Sequence, residues 1–256
     1  ETKIEDLITE KTVAIVPVHV YGNVCNVEEI QRIADKYNLK VIYDAAHAFG
    51  VKYKGIGIGN YGDASIFSFH ATKVFNTIEG GAVAFSDHKI YEKLYNLKNF
   101  GIRGEELVVE VGANAKMNEF EAIMGLCNLK YLSHALEERQ IRFDYYKERL
   151  SHISGIRFFE DNVDIQKNYA YFPIVVSEDY SMTRDELYEK LKENNIFSRK
   201  YFYPLTSDQA CFRNKYKKCE LESARWLSKH ILVLPFYERL ELERQDAIVQ
   251  IIENGK

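Results

Sequence analysis

Three consecutive stretches near the start of the chain constrain its fold more than any other feature. They are "VAIVPVHVYG" (13–22), "NVEEIQRIADKYN" (26–38) and "LKVIYDAAHAFG" (39–50). The first is a β-branched apolar run closed by Gly22 and reads as a strand. The second reads as a helix: Asn26 can cap it, Glu29 stands three residues on, and Ile30, Ile33 and Tyr37 recur at helical spacing. The third supplies a buried strand from Val41 to Tyr43 that ends at Asp44. Strand, helix and strand joined this tightly predict a parallel pair with a right-handed crossover.

The pattern continues. "ASIFSFH" (64–70) and "GAVAFS" (81–86) are two further strands, and "DHKIYEKLYNLKNFG" (87–101) is a helix capped by Asp87, with Ile90, Leu94 and Leu97 on one face. Residues 1–117 therefore read as part of an α/β sheet domain. From Asn118 to Leu150 almost no helix breaker occurs, which predicts one long connecting helix. Residues 151–256 read as a smaller α+β domain: a strand in "YAYFPIVV" (169–176), a helix over 183–194, a strand in "IFSRKYFY" (196–203), then two helices. The last of these follows "VLPFYERL".

Composition narrows the classes of function. With 46% hydrophobic and 28% charged residues over 256 positions, the chain can bury a full core. A net charge of −4 gives no electrostatic case for a nucleic-acid partner. Cys25, Cys127, Cys211 and Cys219 are scattered, with no C-x-x-C pair and no histidines at ligand spacing. The expectation is reduced thiols in a cytoplasmic protein, with neither disulfide framework nor metal site. No apolar run reaches the roughly 20 residues of a membrane helix. The opening "ETKIEDLITEKT" lacks the apolar core of a signal peptide, and it lacks an initiating Met.

The chemistry-bearing residues sit at strand ends. Ligands of parallel α/β sheets bind at the carboxyl ends of strands, and Asp44 ends one. A helix cap or turn aspartate fits the same description. The small residues of "AAHAFG" after it leave room for something flat beside His47, which equally fits an ordinary loop histidine. Lys73 lies beyond the next strand, in "FSFHATKVFNTIEGGAVAFS" (67–86). If that strand neighbours the Asp44 strand, carboxylate and ammonium face one cleft. Those are the two groups that pyridoxal phosphate (PLP) requires: an amine for its aldehyde and a carboxylate that keeps its ring nitrogen protonated. Ser68 can offer a hydroxyl to the phosphate. Among 34 Lys and Arg residues such spacing also arises by chance.

Taken together, "VPVHVYG", "VIYDAAHAFG", "SIFSFHATKVFNTIEGGAVAFS", "KMNEFEAIMG" and "VLPFYERL" resemble the DegT/StrS family of nucleotide-sugar aminotransferases, in order and over nearly the whole chain. The resemblance implies the aspartate-aminotransferase fold, that is, fold type I of PLP-dependent transferases. It has a mixed, mostly parallel sheet domain and a smaller α+β C-terminal domain. It further implies transfer of an amino group, usually from glutamate, to a keto-sugar on a nucleoside diphosphate, for surface polysaccharide or glycoside synthesis. By the same resemblance Lys73 is the Schiff-base lysine, Asp44 the partner of the ring nitrogen and Ser68 a phosphate ligand. Asn118 matches an asparagine that reaches the cofactor phosphate of the other subunit in a homodimer. His47 stands where the family more often has Gln. Tyr203 matches a tyrosine near the sugar, and His19 and Tyr21 are placed to line the substrate side. A segment ahead of Glu1 would carry the family's phosphate-gripping turn and the aromatic residue that stacks on the ring. Relatives with His in place of the lysine are dehydratases; Lys73 favours transamination. A non-catalytic dimerising module is the other expectation, and a dinucleotide fold has no G-x-G-x-x-G to support it.

Overall fold

The computed structural model describes residues 1–212 and 221–255, so Cys219 lies outside the described residues. The chain forms two compact units, residues 1–133 with 163–170, and residues 134–162 with 171–255 of the described chain.

The first unit is built on a four-stranded sheet. Its strands are β1 (Ala14–Ile15), β2 (Lys40–Asp44), β5 (Ala64–Ser68) and β6 (Gly81–Phe85), in the order β1-β2-β5-β6. β2 pairs in parallel with both β1 and β5, and β5 pairs antiparallel with β6. Helix α1 (Val27–Tyr37) makes the predicted crossover. Asn26 Oδ1 accepts the Glu29 N–H as cap, and Asn38 closes the helix with a φ of 51°. Val27, Ile30 and Ala34 of α1 pack with Val41 and Tyr43 of β2, and Ile58 completes that core. Val41 and Tyr43 are fully buried on this face, while Ile42 and Asp44 alternate onto the other. A small sheet of β3 (Lys52–Tyr53), β4 (Ile56–Gly57) and β10 (Ile165–Gln166) follows the Asp44 loop. Asp87 caps a short helical turn that leads into α2 (Tyr91–Lys98), and a hairpin of β7 (Ile102–Gly104) and β8 (Leu107–Val108) comes next.

Helix α3 is continuous over Glu119–Leu150, as the absence of breakers predicts, and contributes to both units. In the second unit β9 (Ile156–Arg157), β11 (Phe172–Val176) and β12 (Ile231–Leu234) form an antiparallel sheet with β11 in the centre. Helices α4 (Arg184–Glu193), α5 (Glu222–His230) and α6 (Leu242–Glu253) complete this unit. Thr183 and Glu186 form a reciprocal capping box at the start of α4. Leu187 and Leu191 of α4, Ile248 and Ile252 of α6, and Phe172 and Leu232 of the sheet share one core.

Two expected strands are shorter or absent. The run 13–22 keeps ladder pairing only at Ala14–Ile15 and a single bridge at Val18. Pro17 has no N–H to donate, and Tyr21 turns the chain with a φ of 59°. The run 196–203 makes only a bridge from Arg199 to Val233. Its aromatic residues close a turn instead, Tyr203 N–H donating to the Lys200 carbonyl (2.8 Å). Among the described residues no group of His, Cys, Asp and Glu is arranged to hold a metal. No described helix is long and apolar enough to cross a membrane. Cys25, Cys127 and Cys211 are free thiols.

Leu187 is 0% exposed at the centre of the second core. Leu187→Ala is expected to lower the unfolding free energy by about 2–5 kcal/mol, seen as a lower urea midpoint at unchanged slope. An unchanged midpoint contradicts the packing described.

Candidate active site

Asp44 is fixed from both sides of its strand. Its N–H donates to the Pro17 carbonyl (2.9 Å), its carbonyl accepts the His19 N–H (3.0 Å), and the next N–H, from Ala45, donates to Ile66 (2.9 Å). Its carboxylate Oδ1 accepts the Ala46 N–H (3.0 Å), so the side chain also caps the turn that follows. Asp44 pairs with Ile66, and β5 runs on only to Ser68. The lysine loop therefore leaves β5 at the same end of the sheet.

That loop is closed on itself. Phe69 N–H donates to Gly80 (2.9 Å), Thr77 N–H to Phe69 (2.9 Å) and Lys73 N–H to His70 (2.9 Å). His70 Nδ1 lies 2.9 Å from the Thr72 hydroxyl. Phe69 and Phe75 sit edge to face beneath the loop and meet Phe49 from the Asp44 loop, with centroids 4.8–5.2 Å apart for the edge contacts and 4.6 Å for the stacked Phe49–Phe75 pair. The N-terminal part of α3 holds the loop from another side: Asn128 Nδ2 donates to the Asn76 carbonyl (2.9 Å), and Gly125 lies so close that a Cβ there would stand 2.9 Å from Thr77 Cγ2.

Three of the sequence candidates share one electrostatic environment. Desolvation pushes the half-buried Lys73 ammonium below its ordinary pKa, and the Asp44 carboxylate opposes that fall. Burial, and after it the Lys73 charge, brings the His47 imidazole down to about 4, again against Asp44. His47 is neutral near pH 7. Its Nδ1 accepts the Tyr21 N–H (3.0 Å), so its ring proton sits on Nε2. The Tyr21 ring lies parallel to it at 6.4 Å.

The remaining candidates take different places. Ser68 is half-buried, and its hydroxyl accepts a long bond from the His70 N–H (3.4 Å). Asn118 is exposed at the head of α3, where its Oδ1 caps Glu121 N–H (3.0 Å) and Glu121 returns the bond to its own N–H (3.0 Å). Tyr21 is 8% exposed and His19 is fully enclosed, whereas the sequence reading has both lining the substrate side. The His19 ring stacks on Tyr43 with centroids 4.6 Å apart, and its main-chain N–H donates to the Asp44 carbonyl (3.0 Å). Tyr203, in the second unit, is half exposed, with the Arg184 guanidinium 4.9 Å above its ring.

Asn168 escaped the sequence reading. It is 2% exposed, and its Nδ2 donates to both the His47 and Phe49 carbonyls (2.8 and 2.9 Å), pinning the loop that carries His47. Gly22 makes room for it, since a Cβ there would meet Asn168 Oδ1 at 2.6 Å. A lone Asn in "QKNYA" (166–170), far along the chain, gives no local signal of this task. A separate cavity of about 820 Å³ opens beside β5, β6 and α2, lined by Val83, Tyr95 and Met117 among others; neither Asp44, His47 nor Lys73 lines it.

The donor set suits PLP. A carboxylate at a strand end matches a cationic ring nitrogen, and a desolvated amine with a lowered pKa matches an aldehyde. Comparison with known proteins agrees. A dTDP-4-amino-4,6-dideoxy-D-glucose transaminase of Shigella dysenteriae is 42% identical over 254 residues, covering 99% of this chain and 69% of its own length. A protein of the same name from Escherichia coli is 44% identical over 246 residues, covering 94% and 66%. Among solved structures, DesI in the presence of its TDP-sugar product superposes with a TM-score of 0.89 at 30% identity, over 98% of this chain and 64% of that one. Helicobacter pylori PseC, an aminotransferase involved in the biosynthesis of pseudoaminic acid, gives 0.92 at 25% identity, over 98% and 69%. The chain thus spans about two thirds of the length of these relatives. The fold is fold type I of the PLP-dependent transferases. The family model for the DegT/DnrJ/EryC1/StrS aminotransferases matches residues 1–253, and with the strand-end carboxylate and loop lysine in their shared environment the chain belongs to that family.

Proposed function

We propose that this chain serves a PLP-dependent aminotransferase that moves an amino group from an amino acid, with glutamate the expected donor, to a nucleoside-diphosphate-linked keto-deoxysugar. The names of the Shigella and Escherichia relatives make a dTDP-linked 4-keto-6-deoxy-glucose the first substrate to test. The product would enter surface polysaccharide or glycoside synthesis in the cytoplasm. The observation that carries the reading is the juxtaposition of Asp44 and Lys73 at one end of the β2–β5 pair, where burial already loosens the lysine's proton.

Lys73 would hold the cofactor's aldehyde, Asp44 its ring nitrogen, His47 the ring or its hydroxyl through Nε2–H, and Ser68 its phosphate. PLP supplies an electron sink for the carbanion formed at the donor's α-carbon. Nζ of Lys73, once freed by the donor's amine, would take the α-carbon proton and return it. Its lowered pKa raises the neutral, basic fraction at neutral pH above that of an exposed lysine. The Asp44 carboxylate, tethered by Ala46 N–H, is kept in place to balance a cationic ring nitrogen. Phe49, Phe69 and Phe75 stiffen the two loops that carry these groups.

The working unit is proposed to be a homodimer, with Asn118 reaching the other subunit's cofactor phosphate. The N-terminal half of α3 supports this: Phe120 is 83% exposed, and Ile123 and Leu126 are also open. An obligate interface commonly buries more than about 2,000 Å².

Three outcomes check the reading. Lys73→Ala is expected to lower turnover of keto-sugar, followed by mass spectrometry of the amino-sugar product, by at least about 10²–10⁴-fold; wild-type turnover contradicts it. Asp44→Asn is expected to retain cofactor by absorbance but lose most of the rate, and a near-full rate contradicts the pairing. Asn118→Ala is expected to weaken PLP retention, with added PLP shifting the light-scattering mass toward dimer; a monomer that binds PLP and turns over contradicts the shared site.

A further inference from the structure

Asn168 stands against both halves of one hydrogen bond at the site. β10 pairs with β3 through Gln166 and Lys52, and this ladder brings the end of β10 beside the loop that carries His47. The Asn168 side chain there is 2% exposed. Its Nδ2 donates to the His47 carbonyl (2.8 Å) and to the Phe49 carbonyl (2.9 Å), which uses both of its N–H groups. Its Oδ1 accepts the Ala170 N–H (3.2 Å), and the chain turns between them at Tyr169, with a φ of 50°. The carboxamide is therefore held in one orientation. Aspartate in its place would set an acceptor against two carbonyls, and a serine hydroxyl has one hydrogen to offer.

The same amide bounds a second segment. Gly22, buried and with a φ of 87°, passes so close that a Cβ there would meet Asn168 Oδ1 at 2.6 Å and the His47 carbonyl at 3.1 Å. Gly22 follows Tyr21, whose main-chain N–H donates to His47 Nδ1 (3.0 Å). Asn168 thus bonds to the loop that supplies the acceptor and packs on the turn that supplies the donor. All of these residues belong to the first unit. The Tyr21–His47 bond decides the form of the ring. With a donor facing Nδ1, the single ring proton stays on Nε2, and a second proton has no place. Burial first and the Lys73 charge second keep the ring neutral, and Asp44 opposes them.

We infer that Asn168 is a positioning residue for His47: it holds the His47 loop to the Gly22 turn, keeps the Tyr21–His47 bond closed and so keeps the imidazole in its Nε2–H form. Its consequence for a cofactor rests on the reading that His47 meets the PLP ring or its hydroxyl. On that reading Asn168 contributes to cofactor retention through His47.

The His47 ring is followed by ¹⁵N NMR in the cofactor-free chain, its signals assigned by their loss in His47→Ala. Wild type is expected to carry one proton, on Nε2, from pH 8 down to pH 5. In Asn168→Ala the shifts of the two nitrogens are expected to draw together as tautomers exchange, and the ring to bind a second proton about tenfold more tightly. Asn168→Ser keeps an acceptor for the Ala170 N–H but cannot bridge two carbonyls, and it is read instead if Asn168→Ala does not fold. Leu187→Ala weakens the second core and is expected to leave the His47 signals unchanged. Wild-type tautomer and titration in the Asn168 variants overturn the inference, and so does a Leu187→Ala ring that moves as far as theirs. Retention of PLP, measured by absorbance, is expected to fall about tenfold in Asn168→Ala but to fall no further when Asn168→Ala is added to His47→Ala; equal losses in both backgrounds overturn the route through His47. If wild type takes up no PLP while its His47 ring behaves as expected, the functional reading fails and the cofactor step fails with it, whereas the positioning of His47 by Asn168 is upheld.

Discussion

The parallel pairing of β2 with β5 is the constraint on which the site depends. Asp44 opposite Ile66 is the last paired position, and the neighbouring bonds from Ala45 to Ile66 and from Asp44 to Pro17 leave the strand end no freedom to slide. Side chains alternate along β2, so a slip of one residue would carry Asp44 to the α1 side and bring Tyr43 out of the core. The burial of Val41 and Tyr43 against α1 opposes that slip. The register that makes the core thus also aims the carboxylate.

The lysine loop follows from the same geometry. β5 continues only to Ser68, so Phe69 to Gly80 must turn back at the carboxyl end before β6 begins. The turn is tied by its own main chain, supported by three phenyl rings, and held by Asn128 and the close approach of Gly125 on α3. An amine held this firmly in a half-buried place loses hydration. This explains the lowered pKa of Lys73; the neutral state of His47 follows first from its own burial and then from the Lys73 charge. The site is electrostatically coupled because it is sterically confined.

Much of this was legible in the sequence because it is local. The Asn26 cap, the helical spacing after it, the apolar run into Asp44 and the breaker-free stretch of α3 each carry their own signal, and each element formed as expected. The strands at 13–22 and 196–203 were misjudged for a related reason: β-branched and aromatic content suits a strand, but Pro17 and the turn at Tyr203 interrupt the ladder. The pairing of β10 with β3 and the bonds of Asn168 were missed because they join residues more than a hundred positions apart. His19 was recognised as notable, but its burial against Tyr43 depends on how the segment after β1 meets β2, which no local pattern records.

The central claim is that the amine of Lys73, and no other, receives the cofactor. Reduction of the PLP-treated protein with borohydride, followed by proteolysis and peptide mass spectrometry, tests it directly. The account predicts the reduced cofactor's added mass on the peptide that contains Lys73, with His70 and Thr72 beside it unmodified. Modification spread over exposed lysines, or concentrated on a different one, would contradict it.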